Sequence, residues 1–418
     1  MKNIIEHINY FSFLCLLASL TLPLPFVRFF WIVWLVSWLL ECRFLKKPDI
    51  RRRSLLPMVG LAVWFVWNLL SVAWASDKTQ AWLMIGRQVD ILFTAPLLIF
   101  GVNSLYKRQT WLRVLVYAAA ISVVIYLFNR YWIGNYEHAI NKFHDSNFEI
   151  NWLWMDDMLL EIKHHTLYSV VLSGSIFGVL LLSSDYEQRY GKPVAVILST
   201  ALIGWLSAGI YWSGSRTGIL MVAITLSLYL LYRLKGKQRW IAVAAVLLFF
   251  VAVTLSVRWF HPRLKIFNNE ELFMYKAEQT YHPANEGRVA IWHLIMEERN
   301  EYPVYGLGAG NSSVFLKEHY VQRNWQEYIE HGFNAHNQFL ATGMELGAAA
   351  AILLLLLWLL IPFCYNGEKR LAASVFTIIT LLVMSVENLL CGLEGIILVA
   401  LSLLLIDLPA EQETSKKA

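Results

Sequence analysis

Apolar stretches of about 18 to 22 residues recur along the chain and are separated by polar segments. A helix of about 20 apolar residues crosses the roughly 30 Å of hydrocarbon in a bilayer. The pattern therefore predicts an all-α, polytopic membrane protein. We expect about twelve transmembrane helices, at residues 8–25, 26–42, 55–75, 83–102, 111–133, 165–183, 194–212, 217–232, 240–257, 336–361, 371–389 and 394–408.

Composition agrees with this class. Of the 418 residues, 57% are hydrophobic and only 16% are charged, which is not typical of a soluble domain. The four cysteines are scattered in or near apolar stretches, without the spacing of a metal site or a disulfide framework. We therefore expect no cysteine chemistry.

Lysines and arginines are concentrated in alternate loops, which explains the net charge of +5 without a nucleic-acid partner. All these clusters lie on one side of the membrane if the N-terminus is cytoplasmic. The positive-inside rule then predicts that both termini are cytoplasmic. The clusters are Arg43 to Arg53, Lys107–Arg108, Arg189–Lys192, Arg233–Arg239, Lys369–Arg370 and Lys416–Lys417.

The opposite side receives two longer segments, at about 134–164 and 258–335. Apolar residues at 291, 292, 295 and 296 keep helical spacing, so the larger segment predicts a small, mostly helical cap. The predicted organisation is transmembrane helices 1–9 in 1–257, the loop in 258–335, transmembrane helices 10–12 in 336–408 and a cytoplasmic tail in 409–418.

The segment from His336 to Gly347 carries the strongest candidate for chemistry. In one continuous helix, His336, Leu340, Gly343 and Gly347 lie on one face and place an imidazole above a groove of small residues. A helix N-terminus keeps such an imidazole neutral and able to accept a proton. The alternative is a helix-capping or interfacial histidine. Glu345, a carboxylate inside the same stretch, is a functional-site hypothesis by default.

Three arginines are candidates for binding an anion. Arg216 lies at the start of a predicted span, among small residues. Its guanidinium and the N–H groups of the helix start can both bind a phosphate. The alternative is an arginine that snorkels to the membrane interface. Arg288 opens the amphipathic helix of the large loop and is otherwise a solvated surface residue. Arg87 lies one turn from Asp90 and is either its structural partner or a third cation for a diphosphate.

Two further patterns are weak. The glycines of Gly306–Gly310 lack the lysine and hydroxyl residue of a nucleotide-binding loop, and we expect a turn into a helix near Asn311. Asp156 and Asp157, with Glu161, fit either a metal-binding acidic pair, as in some membrane glycosyltransferases, or a solvated helix start.

Taken together, these segments resemble the O-antigen ligase and O-antigen polymerase superfamily of bacterial envelopes. His336, Asn337 and Gly347 fit the ligase pattern, whereas Ala351 stands where that pattern has Gly, Thr or Tyr. The other matching segments are the Ser-x-Ser-Arg-Thr-like stretch with Arg216, the Gly-Arg-x-x-x-Trp stretch from Gly287 to Trp292, and the Pro-x-x-Gly-x-Gly-x-Gly stretch from Pro303 to Gly310.

The resemblance implies an inverting glycosyl transfer on the periplasmic face of the bacterial inner membrane. The donor is a glycan on undecaprenyl diphosphate, and the acceptor is lipid A–core or another glycan. His336 is the implied general base, and Arg216 and Arg288 hold the diphosphate. Arg87, as a third cation, and Asn337 complete the predicted substrate-binding set. No metal and no nucleotide cofactor is implied.

Alternatives within and beyond the superfamily stay open. The single dominant outer loop favours a ligase over a polymerase of lipid-linked repeat units, although Ala351 departs from the ligase pattern. Protein O-glycosylation is a third option. A transporter for a lipid-linked glycan would also have many spans, but such proteins usually show inverted repeats, and the sequence shows none.

Overall fold

The computed structural model describes residues 2–45, 55–132, 164–257 and 287–408. Within these ranges the chain forms helices and 3₁₀ turns and no β-strand, so the predicted all-α class is confirmed there. In chain order the helices are α1 (Lys2–Ser19), α2 (Leu24–Leu40), α3 (Leu55–Ser71), α4 (Lys78–Gln88), α5 (Ile91–Phe100), α6 (Arg108–Trp132), α7 (His165–Tyr190), α8 (Lys192–Trp212), α9 (Arg216–Arg233), α10 (Gly236–Val257), α11 (Gly287–Glu297), α12 (Asn311–Gln322), α13 (Gln326–His331), α14 (Gln338–Leu346), α15 (Ala348–Leu360), α16 (Gly367–Met384) and α17 (Leu393–Asp407).

Several helices are apolar enough for a membrane. Among the described residues, four have both the length and the composition to cross it: Arg108–Phe128, His165–Tyr190, Lys192–Trp212 and Arg216–Arg233. Shorter apolar helices lie at Leu24–Leu40, Leu56–Ser71 and Ala348–Cys364. These helices support a membrane protein, whereas the predicted number of about twelve spans is not confirmed.

The first of two structural units comprises Met1–Lys46, Val102–Lys265 and Asp407–Ala418. Its helices α6, α7, α8 and α9 pack closely because glycines replace larger side chains at their contacts. A Cβ at Gly209 would lie 2.6 Å from the Val123 side chain. The core between these helices is aliphatic and aromatic, and includes Val116, Tyr168, Leu172, Ile176, Leu206 and Ile210.

The second unit comprises Lys47–Gly101 and Ile266–Ile406. In this unit the predicted span at 83–102 is two helices, because α4 ends at Gln88 and α5 begins at Ile91. Asp90 stands at the N-terminal boundary of α5. The two residues Arg87 and Asp90 therefore do not share the continuous helix that the sequence suggested.

The predicted span at 336–361 is also interrupted, at Gly347. This glycine has φ 88° and ends α14, and a Cβ on it would lie 2.3 Å from the carbonyl oxygen of Val304. The expected continuous helix with a groove cut by Gly343 and Gly347 is therefore wrong. Gly347 provides a sharp turn and a close approach of backbone rather than a groove.

The glycine-rich segment Gly306–Gly310 compensates for this interruption. A broken apolar helix leaves carbonyl groups without partners, which is tolerated in a membrane only where other groups satisfy them. The backbone N–H of Leu307 donates to the carbonyl of Met344, and that of Gly308 donates to the carbonyl of Glu345, both at 2.8 Å. The segment leads into α12 at Asn311, as predicted. Its N–H groups bind the carbonyl groups at the end of α14, which is a structural role and not that of a nucleotide-binding loop.

The described part of the large loop is mostly helical. Helix α11 presents Ala290, Ile291, Leu294 and Ile295 to a buried core, and Val289 and Met296 lie exposed on its other side. The predicted amphipathic helix is therefore present, but Met296, which the pattern placed on its apolar face, is exposed. That core is completed by residues of α12, α13 and α14, among them Leu316, Tyr320, Tyr328 and Met344.

Candidate active site

His336 lies in the turn that precedes α14 and not in the helix itself. Its φ of 43° is in the left-handed region, which costs an L-residue roughly 1–2 kcal/mol. The backbone N–H of His336 donates to Oδ1 of Asn334 at 2.8 Å and helps hold this conformation. Backbone strain at a residue that bears a chemically useful side chain is typical of functional sites.

Asn337 is the N-cap of α14. Its Oδ1 accepts hydrogen bonds from the N–H groups of Phe339 and Leu340, both at 3.0 Å. Its Nδ2 donates to the carbonyl of Ser385 at 3.0 Å. The Asn337 side chain therefore fixes the start of α14 against the end of α16, and its predicted contact with substrate stays a prediction.

Glu387 connects the imidazole to an arginine. Its Oε2 lies 3.2 Å from Nδ1 of His336, and its Oε1 accepts a hydrogen bond from Nη2 of Arg288. A carboxylate only accepts, so this contact places the proton of the imidazole on Nδ1 and leaves the lone pair on Nε2. The structure thus brings together two residues that lie 48 positions apart in sequence.

Asn388, the next residue, fixes the backbone beside the histidine. Its Oδ1 accepts a hydrogen bond from the N–H of Asn337 at 3.0 Å. Glu387 therefore holds the side chain of His336, and Asn388 holds the peptide that follows His336. Both residues lie in the short segment after α16.

The spacing of the Gly-Arg-x-x-x-Trp stretch also has a structural reason. Arg288 and Trp292 lie four residues apart on α11 and so share a face of that helix. Arg288 pairs with Glu387, while Nε1 of Trp292 donates to the carbonyl of Ala335 at 2.8 Å. One face of α11 therefore contacts both the Glu387 carboxylate, which binds His336, and the peptide carbonyl of Ala335, which precedes His336.

The site is half-buried rather than sealed. The side chains of His336 and Glu387 are 20% and 12% exposed, and that of Arg288 is 36% exposed. A guanidinium carries five N–H donors, so the contact with Glu387 leaves others for a ligand. The arrangement offers one proton acceptor, Nε2 of His336, near one cation, which suits proton removal beside a developing negative charge.

Sequence reasoning missed Glu387 and Asn388. Glu387 falls within the apolar stretch predicted as the span 371–389, and a carboxylate in such a stretch is a functional-site hypothesis by default. The same argument had selected Glu345. Nothing in the sequence distinguished the two, because only the fold shows which carboxylate lies beside His336.

Glu345 is buried and makes hydrogen bonds that connect structural elements. Its side chain is buried, and its Oε1 accepts a hydrogen bond from the hydroxyl of Ser312 at 2.5 Å. Its backbone carbonyl accepts from Gly308. Glu345 therefore links α14 to the first turn of α12 and to the glycine-rich segment.

The remaining predicted arginines occupy different places. Arg87 lies in the last turn of α4, which packs against the 3₁₀ turn Leu389–Cys391 that follows Asn388. Burial raises the pKa of the Cys391 thiol, and the positive charge of Arg87 lowers it. Arg87 therefore lies in the helix that packs against the turn following the site.

Arg216 belongs to the first unit and is the first residue of α9. Its side chain is exposed. The N-cap residue Ser215 accepts a hydrogen bond from the N–H of Gly218 at 3.0 Å, so one of the N–H groups expected for an anion is already used. Close packing of Gly218 against Ser169 fixes this helix start on α7.

Several predictions lie outside the described residues. These are the acidic group Asp156, Asp157 and Glu161, the first part of the large loop at 258–286, and the basic residues at 46–53 and 416–417. The proposed orientation of the termini and the domain limits at 257, 335 and 408 also stay predictions.

Comparison with known proteins bears on the segment that carries these motifs. Residues 201–355 match the model of a family described as O-antigen ligase. A teichuronic acid biosynthesis protein, TuaE, from Bacillus subtilis (strain 168) is 24% identical over 290 residues. That alignment covers 63% of this chain and 52% of the relative, so the chain spans about half the length of this curated protein. The resemblance seen in the sequence motifs is confirmed over residues 201–355.

Proposed function

We propose that this chain, whose residues 201–355 carry the O-antigen ligase domain, is a glycosyltransferase that uses a lipid-diphosphate-linked glycan. The observation that carries the proposal is the Glu387 carboxylate shared by His336 and Arg288. It joins a candidate general base and a cation, two groups that suit proton removal from an acceptor and stabilisation of a departing diphosphate.

In the proposed reaction the acceptor hydroxyl attacks the anomeric carbon of the donor glycan. Nε2 of His336 takes the proton of that hydroxyl as the new C–O bond forms. The bond between the anomeric carbon and the diphosphate breaks, and the diphosphate leaves with the electron pair. Attack opposite the leaving group inverts the anomeric centre.

The cations have separate proposed roles. Arg288, which Glu387 holds, contacts the departing diphosphate. Arg216 is kept as a proposed diphosphate-binding residue because its sequence motif implies this role and a guanidinium offers forked donors to phosphate. Arg87 is the proposed third cation. Asn337 positions the turn that carries His336, because its amide is engaged with α14 and with Ser385, and its contact with substrate is kept as part of the proposal.

We place the reaction at the periplasmic face of a bacterial inner membrane. The basic clusters in alternate loops support cytoplasmic termini, and this orientation puts His336 on the opposite side. Undecaprenyl diphosphate is the proposed carrier because the resemblance to the O-antigen ligases implies it. A diphosphate is already an activated leaving group, so the transfer needs no nucleotide.

The first candidate is an O-antigen ligase that moves the glycan onto lipid A–core, as the matched family description suggests. The second is a polymerase whose acceptor is another glycan. The relative TuaE is named for teichuronic acid biosynthesis and not for lipopolysaccharide, and Ala351 departs from the ligase pattern. These two observations support the polymerase as a second candidate function.

Deleting the gene in its host and displaying the envelope glycans on a gel separates the candidates. A ligase predicts loss of capped lipid A–core with accumulation of long lipid-linked glycan. A polymerase predicts cores that carry one repeat unit. Complementation with the wild-type gene restores the pattern and His336→Ala does not. An unchanged glycan pattern in the deletion strain contradicts both candidates.

A further inference from the structure

A second group of ionisable side chains lies in the helical part of the large loop, where the end of α11 meets α12. Glu298 and Glu301 lie in the 3₁₀ turn Glu298–Glu301, and His319 lies in α12. One potential ligand atom from each residue lies within 4.8 Å of the other two. The group combines two carboxylates with one imidazole.

The orientation of His319 is informative because its side chain is only 5% exposed. Its Nδ1 lies 3.1 Å from the carbonyl oxygen of Phe315, which only accepts, so Nδ1 carries a proton. Its Nε2 lies 2.9 Å from Oε2 of Glu301. The second ring nitrogen is therefore directed at the carboxylate of Glu301.

A histidine with one nitrogen on a backbone carbonyl and the other directed at carboxylates has the usual arrangement of a metal ligand. Glu298 is also held in place, because its Oε1 accepts a hydrogen bond from Nη2 of Arg323 at 2.6 Å. Glu301 is 55% exposed and has room to rotate. Tetrahedral ligands at about 2.0–2.2 Å from a zinc ion lie roughly 3.3–3.6 Å apart, which is within the 4.8 Å that encloses the three ligand atoms.

We propose that Glu298, Glu301 and His319 bind one divalent ion of the zinc type, with solvent completing the coordination. One imidazole nitrogen and two carboxylate oxygens suit zinc or a similar transition metal better than calcium, which prefers oxygen ligands alone.

The bound ion has a structural role in this proposal. Arg288 and Glu298 are ten residues apart, a distance of about 15 Å along a helix, so the ion does not take part in transfer at His336. The ion connects the 3₁₀ turn at the end of α11 to α12 and thereby stabilises α11, the helix that carries Arg288. The inference does not depend on the proposed glycosyl transfer.

Zinc binding is tested on the full chain, purified in detergent with an affinity tag that contains no histidine, stripped with chelator and titrated with ZnCl₂ by calorimetry. We expect one saturable site per chain and a higher midpoint temperature of unfolding with zinc. Glu301→Gln weakens binding by at least about 10-fold, since even the loss of an outer-shell partner costs 10–100-fold. His319→Gln has the same effect.

The matched control is His293→Gln. His293 also contacts a glutamate, with Nδ1 3.1 Å from Oε1 of Glu297, but it is not one of the three grouped ligands. It keeps wild-type zinc binding if the proposal is correct. Because Glu301 is exposed, its variant separates lost binding from lost folding. No saturable zinc binding by the wild type, equal binding by Glu301→Gln, or binding of CaCl₂ in place of ZnCl₂ overturns the proposal.

Discussion

The carboxylate of Glu387 accepts a hydrogen bond from Nδ1 of His336 at 3.2 Å. The pair joins the turn before α14 to the segment after α16, and the second carboxylate oxygen holds Arg288. This relationship gives the imidazole one defined tautomer and orientation. It is also the reason that His336, in the proposed reaction, accepts a proton at Nε2.

Replacing Glu387 by Gln is therefore expected to slow transfer. An amide that donates to Nδ1 favours the tautomer with a proton on Nε2, which is unable to act as the base. We expect the rate to fall by about 10²–10⁴-fold, the range that general acid–base catalysis contributes. The measurement is the rate of glycan transfer by purified protein at saturating donor.

Two variants control this experiment. Glu387→Asp keeps the charge and recovers part of the rate, which a purely structural role would not predict. Glu368→Gln removes an exposed carboxylate from the first turn of α16 and leaves the rate unchanged. A wild-type rate for Glu387→Gln would show that the carboxylate does not set the state of His336.

The role of Asn337 is tested by stability. Asn337→Ala removes the cap of α14 and is expected to destabilise the protein by about 0.5–2 kcal/mol, whereas Asn337→Ser keeps a capping oxygen and loses less. Thermal unfolding in detergent measures both. Equal stability of the wild type and the Ala variant, with a selective rise in KM for donor or acceptor, would instead assign Asn337 to substrate binding.

Arg288 and Arg216 are expected to act on the donor. Lys at either position keeps the charge but loses the fork that grips a phosphate, so Arg288→Lys and Arg216→Lys both weaken donor use. Arg233, in the last turn of α9, provides a control on the same helix as Arg216. Arg233→Lys leaves donor KM and rate unchanged. Unchanged donor KM and rate in both Arg288→Lys and Arg216→Lys would remove these residues from the diphosphate site.

Glu345 is expected to matter for folding and not for transfer. Glu345→Gln keeps an oxygen that accepts from Ser312 and retains activity. Glu345→Ala leaves the buried Ser312 hydroxyl without this acceptor and costs about 1–3 kcal/mol. Activity and thermal unfolding are measured on both variants. If a stable Glu345→Gln protein loses transfer activity, the carboxylate of Glu345 has a functional role in the reaction.

The sequence predicted much of the helical structure, because apolar periodicity is local. The amphipathic pattern around Ile291 and Ile295 identifies α11, and the helix starts at Arg216 and Asn311 follow recognisable polar or glycine signals. The interruption at Gly347 was not predictable. The apolar stretch continues through it, and the reason for the turn is the distant carbonyl of Val304, 2.3 Å from where a Cβ would lie.

The site was only partly predictable for the same reason. His336, Arg288 and Arg216 stand in short motifs that the sequence displays. Glu387 stands in no such motif, and its importance follows from a contact across 51 residues that only the tertiary fold creates. Asn337 shows the converse: its position in the motif suggested substrate binding, and the fold adds a helix-capping role that the motif did not indicate.

The most direct test of the central proposal is a transfer assay with purified wild-type protein and His336→Ala, each supplied with a lipid-diphosphate-linked glycan and a hydroxyl-bearing acceptor. Thermal unfolding confirms that both proteins are folded. The account predicts that the wild type forms a new glycosidic bond with inverted configuration and releases the lipid diphosphate, while His336→Ala forms product at a rate lower by about 10²–10⁴-fold. Equal product formation by the two proteins, or movement of the glycan lipid without any new bond, would contradict it.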